Sequence, residues 1–95
     1  MAWLKLGKMV RVRCNAQPGP LGDNLITIDS KPFILSGFVK KNLVEKQGHH
    51  CYLRGKITGV TPEAVNVHLP GSFFTAASGT ASLTREWAEE NLEPA

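Results

Sequence analysis

The stretch Cys51-Tyr52-Leu53-Arg54-Gly55-Lys56-Ile57-Thr58-Gly59-Val60, followed after Thr61-Pro62-Glu63-Ala64 by Val65-Asn66-Val67-His68-Leu69, decides the fold class. Cys51, Leu53 and Ile57 share one parity, and Tyr52, Arg54, Lys56 and Thr58 share the other. That two-residue period belongs to a strand with one buried and one solvated face. Gly55 and Gly59 mark points of bending or close backbone approach. Val65, Val67 and Leu69 repeat the alternation, so the segment predicts a strand, a short turn and a second strand.

Towards the N-terminus, Val10, Val12 and Cys14 alternate with Arg11 and Arg13. This predicts a half-buried strand carrying both arginines on its outer face, extended backward by Leu4 and Leu6 through Gly7. Residues 17–24 are dense in turn formers and read as a loop. Leu25 to Asp29 and Phe33 to Val39 are expected strands, separated by Ser30-Lys31-Pro32. Lys40-Lys41-Asn42 continues into a surface turn, Leu43 and Val44 return to the core, and residues 45–48 form an exposed connection.

Beyond the hairpin, Pro70-Gly71 ends the second strand, Phe73 and Phe74 supply aromatic core mass, and Ala76 to Thr80 reads as a loop. Thr84 is suited to cap a short helix, with Glu86 opposing the positive end of its dipole and Ala88 and Leu92 spaced i,i+4. Trp87 is expected to dock that helix on the body. No repeat and no other helix-length period is present. The chain is therefore expected to be mostly β, a five- or six-stranded small barrel ending in a helical turn, since closure removes the sheet edges.

The hairpin over residues 53–69 resembles that of Src-homology-3-like barrels, including Sm-like and KOW-type modules. In Sm-like proteins a glycine precedes the strand and an asparagine in the next strand lies near the RNA base, and Gly55 and Asn66 resemble those positions. The acidic residue before the turn and the later Arg-Gly pair are absent, so the resemblance implies kinship of superfold, an SH3-like barrel, and not family membership.

Ninety-five residues, 42% hydrophobic and 20% charged, make one folded domain over 1–95. At that size an enclosed active-site cavity is not expected, so function should sit on an exposed face. The longest apolar run, Phe33 to Val39, is broken by Ser36 and Gly37, and Lys5 and Lys8 interrupt the N-terminal apolar residues. No membrane span or secretory leader is expected, and the expected location is cytoplasmic. The net charge of +3 is uneven. Residues 1–84 are basic, whereas Arg85 is followed by Glu86, Glu89, Glu90 and Glu93. Such an acidic tail covers the basic body, pairs with another copy, or stays solvated.

His49, His50 and Cys51, with Cys14 and His68, are the densest set of metal-ligand types, but they lack paired spacing at both ends of a site, so neither metal nor cofactor is expected. Cys51 and His50 are adjacent on a strand and point apart, which argues against a thiol nucleophile with its base. His49 is better placed, yet no oxyanion donors accompany it, and catalysis is not expected. No Gly-rich phosphate loop exists, and Ser72 and Ser78 lack a nucleophile elbow. Cys14 and Cys51 are expected to be free buried thiols, with a bridge between them as the alternative for an exported chain.

The strongest functional signal is basic. Arg11 and Arg13 share one strand face, Lys40 and Lys41 flank a turn, and Arg54 and Lys56 share another face with Tyr52. Phosphate neutralisation beside an aromatic platform is how small barrels hold single-stranded nucleic acid, with RNA favoured here. A merely solubilising surface, with Tyr52 packed beneath lysine stems, is the competing reading. The other functional class is a protein adaptor or homo-oligomeric accessory subunit, using Trp3, Phe73, Phe74 or a sheet edge.

Overall fold

β1 (Met9–Pro18) shows how the alternation becomes architecture. Val10, Val12 and Cys14 are buried, while Arg13 is exposed and Arg11 half-buried on the opposite face. The computed structural model, which describes residues 2–30, 33–73 and 79–95, continues the chain through β2 (Asp23–Ser30), β3 (Phe33–Lys40) and a 3-10 turn (Lys41–Leu43). It then forms β4 (Val44–Gln47), β5 (His50–Val60), β6 (Ala64–His68), β7 (Ser72–Phe73) and β8 (Thr80–Thr84). Helix α1 (Arg85–Asn91) and β9 (Leu92–Pro94) complete it.

β1 belongs to both halves of the structure. Met9 to Cys14 pair antiparallel with β5, and Asn15 to Pro18 pair antiparallel with β2. The strand order is β7-β3-β2-β1-β5-β6-β8, with β4 added to β5 and β9 to β1. Six strands of five residues or more, β1, β2, β3, β5, β6 and β8, form a nearly closed small barrel, while β4, β7 and β9 extend its edges. Inward residues from all six meet in one core, including Val10, Val12, Ile26, Ile28, Leu35, Val39, Leu53, Ile57, Val65, Val67, Ala81 and Leu83. Burial of these side chains stabilises by about 1.5–3 kcal/mol apiece for the larger ones.

Close packing dictates Gly55. A β-carbon there would stand 2.5 Å from Val67 Cγ1 and 2.9 Å from the His68 carbonyl oxygen, so β5 and β6 approach only because position 55 has no side chain. One further irregularity, a register shift between Ile57 and Gly59, sets Gly59 opposite Asn66. The β5–β6 turn is held by Thr61, whose Oγ1 accepts from the backbone N–H groups of Glu63 and Ala64.

The helix follows its sequence signals. The Thr84 side chain accepts from the Trp87 backbone N–H at 3.3 Å, Glu86 lies in the first turn, and Ala88 is fully buried. Trp87 packs half-buried against the core. The Arg85 backbone N–H donates to the Glu63 carbonyl at 2.9 Å, tying the helix start to the β5–β6 turn.

Five expectations need correction. β1 does not extend backward, because Gly7 has φ +84°, a left-handed turn that leaves Leu4 buried and Leu6 71% exposed. The loop expected over residues 17–24 shrinks to 19–22, since the backbone of β1 and β2 keeps pairing up to Pro18↔Asn24. Val44–Gln47 is a strand paired with β5 and not a free connection. Thr80–Thr84, whose first residue was assigned to a loop, is a strand burying Ala81 and Leu83. Leu92 does not lie on the helix: α1 stops at Asn91, and Leu92 is buried as the first residue of β9 opposite Val12. Phe74, residues 76–78 and the Phe73 side chain lie outside the described residues.

Candidate nucleic-acid interface

The outer surface of β9, β1, β5 and β4 brings together Arg11, Arg13, Arg54 and Lys56, because antiparallel register sets outward positions side by side. Arg11 stands opposite Arg54 on β5 and opposite Glu93 on β9. Arg13 stands opposite Tyr52, and Tyr52 in turn opposite Glu45. Met9 stands opposite Lys56, and Lys56 opposite His68. Directly opposed like charges are unfavourable, and the Arg11–Arg54 rung is relieved by one carboxylate for each guanidinium.

Arg11 Nη2 donates to Glu93 Oε2 at 2.5 Å, and its Nη1 donates to Gln47 Oε1 at 3.0 Å. Its guanidinium carbon lies 5.0 Å from the centre of the Tyr52 ring, a cation–π arrangement. Tyr52 Oη donates to Glu93 Oε1 at 3.3 Å, and His50 meets the ring edge-on with centroids 6.5 Å apart. Arg54 Nε donates to Glu45 Oε2 at 2.5 Å. The hydrogen bond and then the charge of Glu45 raise the Arg54 pKa above its already high ordinary value.

Tyr52 is therefore misplaced in the sequence reading. Its position is outward, but only 6% of the residue is exposed, because Arg11 covers one face and the Glu93 carboxylate engages its hydroxyl. A ring so covered does not offer a face to a nucleic-acid base in this conformation. The competing reading expects lysine stems over the tyrosine, and the side chain recorded over its ring is instead Arg11.

Further cations of the expected site lie to either side of this neutralised centre. On one side, Lys56 lines an open groove of about 530 Å³ together with Arg54, Glu45, Met9, Asn42, Leu43, Gly55, His68 and Pro70. Asn42 and Leu43 of the 3-10 turn line its wall, and the exposed Lys40 and Lys41 precede them in the chain without lining it. Met9 and Leu43 are 49% and 40% exposed and give this groove an apolar surface. On the other side, Arg13 lines a second open groove with His49, His50, Cys14 and Cys51, and its guanidinium lies 3.4 Å from His50 Nε2.

The expected site thus divides. Arg54 and Lys56 come together, with Lys40 and Lys41 on the adjoining turn; Arg11 and Tyr52 form a self-satisfied cluster; Arg13 faces the second groove. Met9, His68 and Pro70 are additions to the expected site, and Leu43, expected to return to the core, is instead exposed at the groove. Glu45 and Glu93 were not anticipated as partners of the arginines, although the alternation of Val44–Gln47 gives a signal for the first.

The acidic C-terminal residues are not a loose tail. Glu93 sits in β9, Glu89 lies 3.7 Å from Arg85, and Glu86 and Glu90 border a separate hollow with Asp29, Thr84 and Trp87. Among the described residues no three His, Cys, Asp or Glu side chains gather into a group able to hold a metal ion. No helix is long and apolar enough to cross a membrane among those residues. Comparison of the chain with protein-family models, with curated proteins and with solved structures finds no match.

Proposed function

We propose that this protein is a non-catalytic module that binds single-stranded nucleic acid along the groove between the 3-10 turn and the β5–β6 rung. Lys40, Lys41 and Lys56 meet phosphates, Arg54 joins them only after release from Glu45, and Met9, Leu43 and Pro70 offer apolar contact to bases. The observation that carries this reading is an open, partly apolar groove lined by the unpartnered Lys56, with the exposed Lys40 and Lys41 on the chain that leads into its wall. Phosphate contacts supply most of the affinity in such complexes, and stacking or apolar contact adds sequence-tolerant binding. RNA is preferred over DNA on the hairpin's resemblance alone. Arg13 faces the second groove, outside this footprint, and Arg11 contributes only after release from Glu93.

A second reading, a protein-contact or self-association face, is favoured by Leu6, Met9 and Leu43, which are exposed apolar side chains of substantial size. Fluorescence anisotropy of a labelled uridine-rich oligonucleotide at low salt separates the two. Binding that weakens about tenfold or more in a Lys41→Gln/Lys56→Gln variant supports the nucleic-acid reading. Absence of binding by the folded protein, with concentration-dependent self-association in sedimentation, transfers the groove to a protein partner.

A further inference from the structure

The two cysteines, far apart in sequence, are direct partners across the β1–β5 ladder, Cys14 opposite Cys51. Both are free thiols. They fall on the same face, because Cys14 continues the inward series Val10, Val12 and Cys51 begins the inward series Leu53, Gly55, Ile57. Directly opposed residues of antiparallel strands have α-carbons about 4.5 or 5.5 Å apart, depending on the rung. Disulfides span about 4.4–6.8 Å between α-carbons, so either rung type admits the bond without moving the backbone apart.

Access also fits. Cys14 is buried, 8% exposed, whereas Cys51 is half-buried, and both line the second groove with Arg13, Asn15, His49 and His50. The pair sits where β1 leaves β5 and turns to β2, since the next residue, Asn15, is already paired with Thr27.

We infer that Cys14 and Cys51 form an oxidisable cross-strand thiol pair, a modification site at which a small-molecule disulfide converts two thiols into one intramolecular disulfide tying β1 to β5. The Cys51 thiolate, the more accessible sulfur, attacks one sulfur of the reagent disulfide. One reagent thiolate leaves, and a mixed disulfide remains on Cys51. The Cys14 thiol gives its proton to a departing thiolate, its sulfur displaces the second reagent thiolate, and the Cys14–Cys51 bond forms. In balance, the protein loses two protons and two electrons, and the reagent disulfide takes them up to become two thiols. Burial first, and then the neighbouring Cys51, push the Cys14 thiol up to about 12, which assigns it the resolving role and leaves the opening attack to Cys51. The link fixes the rung beside Arg13↔Tyr52, so it reaches the basic face through one residue on each strand.

The test uses the full-length folded protein and oxidised glutathione as the probe, with intact-mass measurement, thiol counting and peptide mapping. Wild type is expected to lose two hydrogens in mass and both titratable thiols, with a crosslinked peptide joining residues 14 and 51. Cys14→Ser is expected to stop at one glutathionyl group on Cys51. In Cys51→Ser the buried Cys14 is expected to react at least tenfold more slowly than Cys51 does in wild type. Dithiothreitol should restore the starting mass. Wild type that retains both thiols, or that halts at a stable mixed disulfide on Cys51, overturns the inference. Neither outcome bears on the nucleic-acid reading, which is measured under reducing conditions.

Discussion

Replacing Gly55 by alanine separates a structural role for this residue from a ligand-contacting one, since Gly55 also lines the proposed groove. The new methyl would lie 2.5 Å from Val67 Cγ1, 2.9 Å from the His68 carbonyl oxygen and 3.0 Å from Leu69 Cδ2. Val67 and Leu69 are 0% and 1% exposed, and the carbonyl belongs to the β6 ladder, so none of the three can swing into solvent. Overpacking of this kind costs about 1–3 kcal/mol, and the backbone contact puts this case near the upper end. A gain of about 0.4–1 kcal/mol from restricting the unfolded chain leaves a net loss of about 2 kcal/mol. For a domain of this size that lowers the thermal midpoint by about 8–16 °C. Circular-dichroism melting measures the shift, and oligonucleotide anisotropy well below the melt measures affinity per folded molecule, which is expected to stay within about twofold of wild type. A midpoint within about 2 °C of wild type would refute the packing argument. Loss of affinity at unchanged stability would place Gly55 at the ligand.

Trp87→Ala removes a half-buried indole that holds α1 against the core, and urea denaturation should show a loss of about 2 kcal/mol, below the range for a fully buried tryptophan. A loss under about 0.5 kcal/mol would mean that Ala88 and Leu92 suffice to dock the segment. The Cys14 thiol, whose folded pKa rises from 9.0 to about 12, contributes stability that is complete below about pH 9 and drains away as pH climbs towards 12. Under reducing conditions the wild type should therefore lose stability more steeply than Cys14→Ala between about pH 8 and pH 10.5. Parallel slopes would show that the thiol titrates no differently in the fold.

The parts of the fold carried by strict alternation were legible in the sequence. Val10-Arg11-Val12-Arg13-Cys14 and Cys51 through Val60 could be read because one face of each strand is apolar and the other is not. β4 and β9 escaped because they are short and charged, and their existence depends on partners, Leu53 and Val12, that local composition does not reveal. Thr80–Thr84 escaped because Thr80 reads as the end of a loop, Thr84 as a helix cap, and the short stretch between them shows its strand character only with Ala81 and Leu83 packed in the core. Parity likewise placed Arg11, Arg54 and Tyr52 on the outside, but register decides what stands beside them. Glu93 reaches Arg11 across 82 positions of sequence, and that contact, with the arginine lying over the ring, is what covers Tyr52. The thiol pair was visible only as a conditional bridge, because its direct opposition is again a matter of register.

The salt dependence of oligonucleotide binding tests the central claim most directly. Lys40, Lys41 and Lys56 are the unpartnered cations at the groove, so three phosphate contacts give a slope of log affinity against log salt of about −2 for a single strand. Glu45→Gln removes the partner of Arg54 and adds a fourth contact, steepening the slope to about −3, while Lys41→Gln/Lys56→Gln flattens it to about −1. That ordered series, obtained by anisotropy titration at four or more salt concentrations, is the result the proposal predicts. No binding at low salt by demonstrably folded protein, or a slope indifferent to all three substitutions, would contradict it.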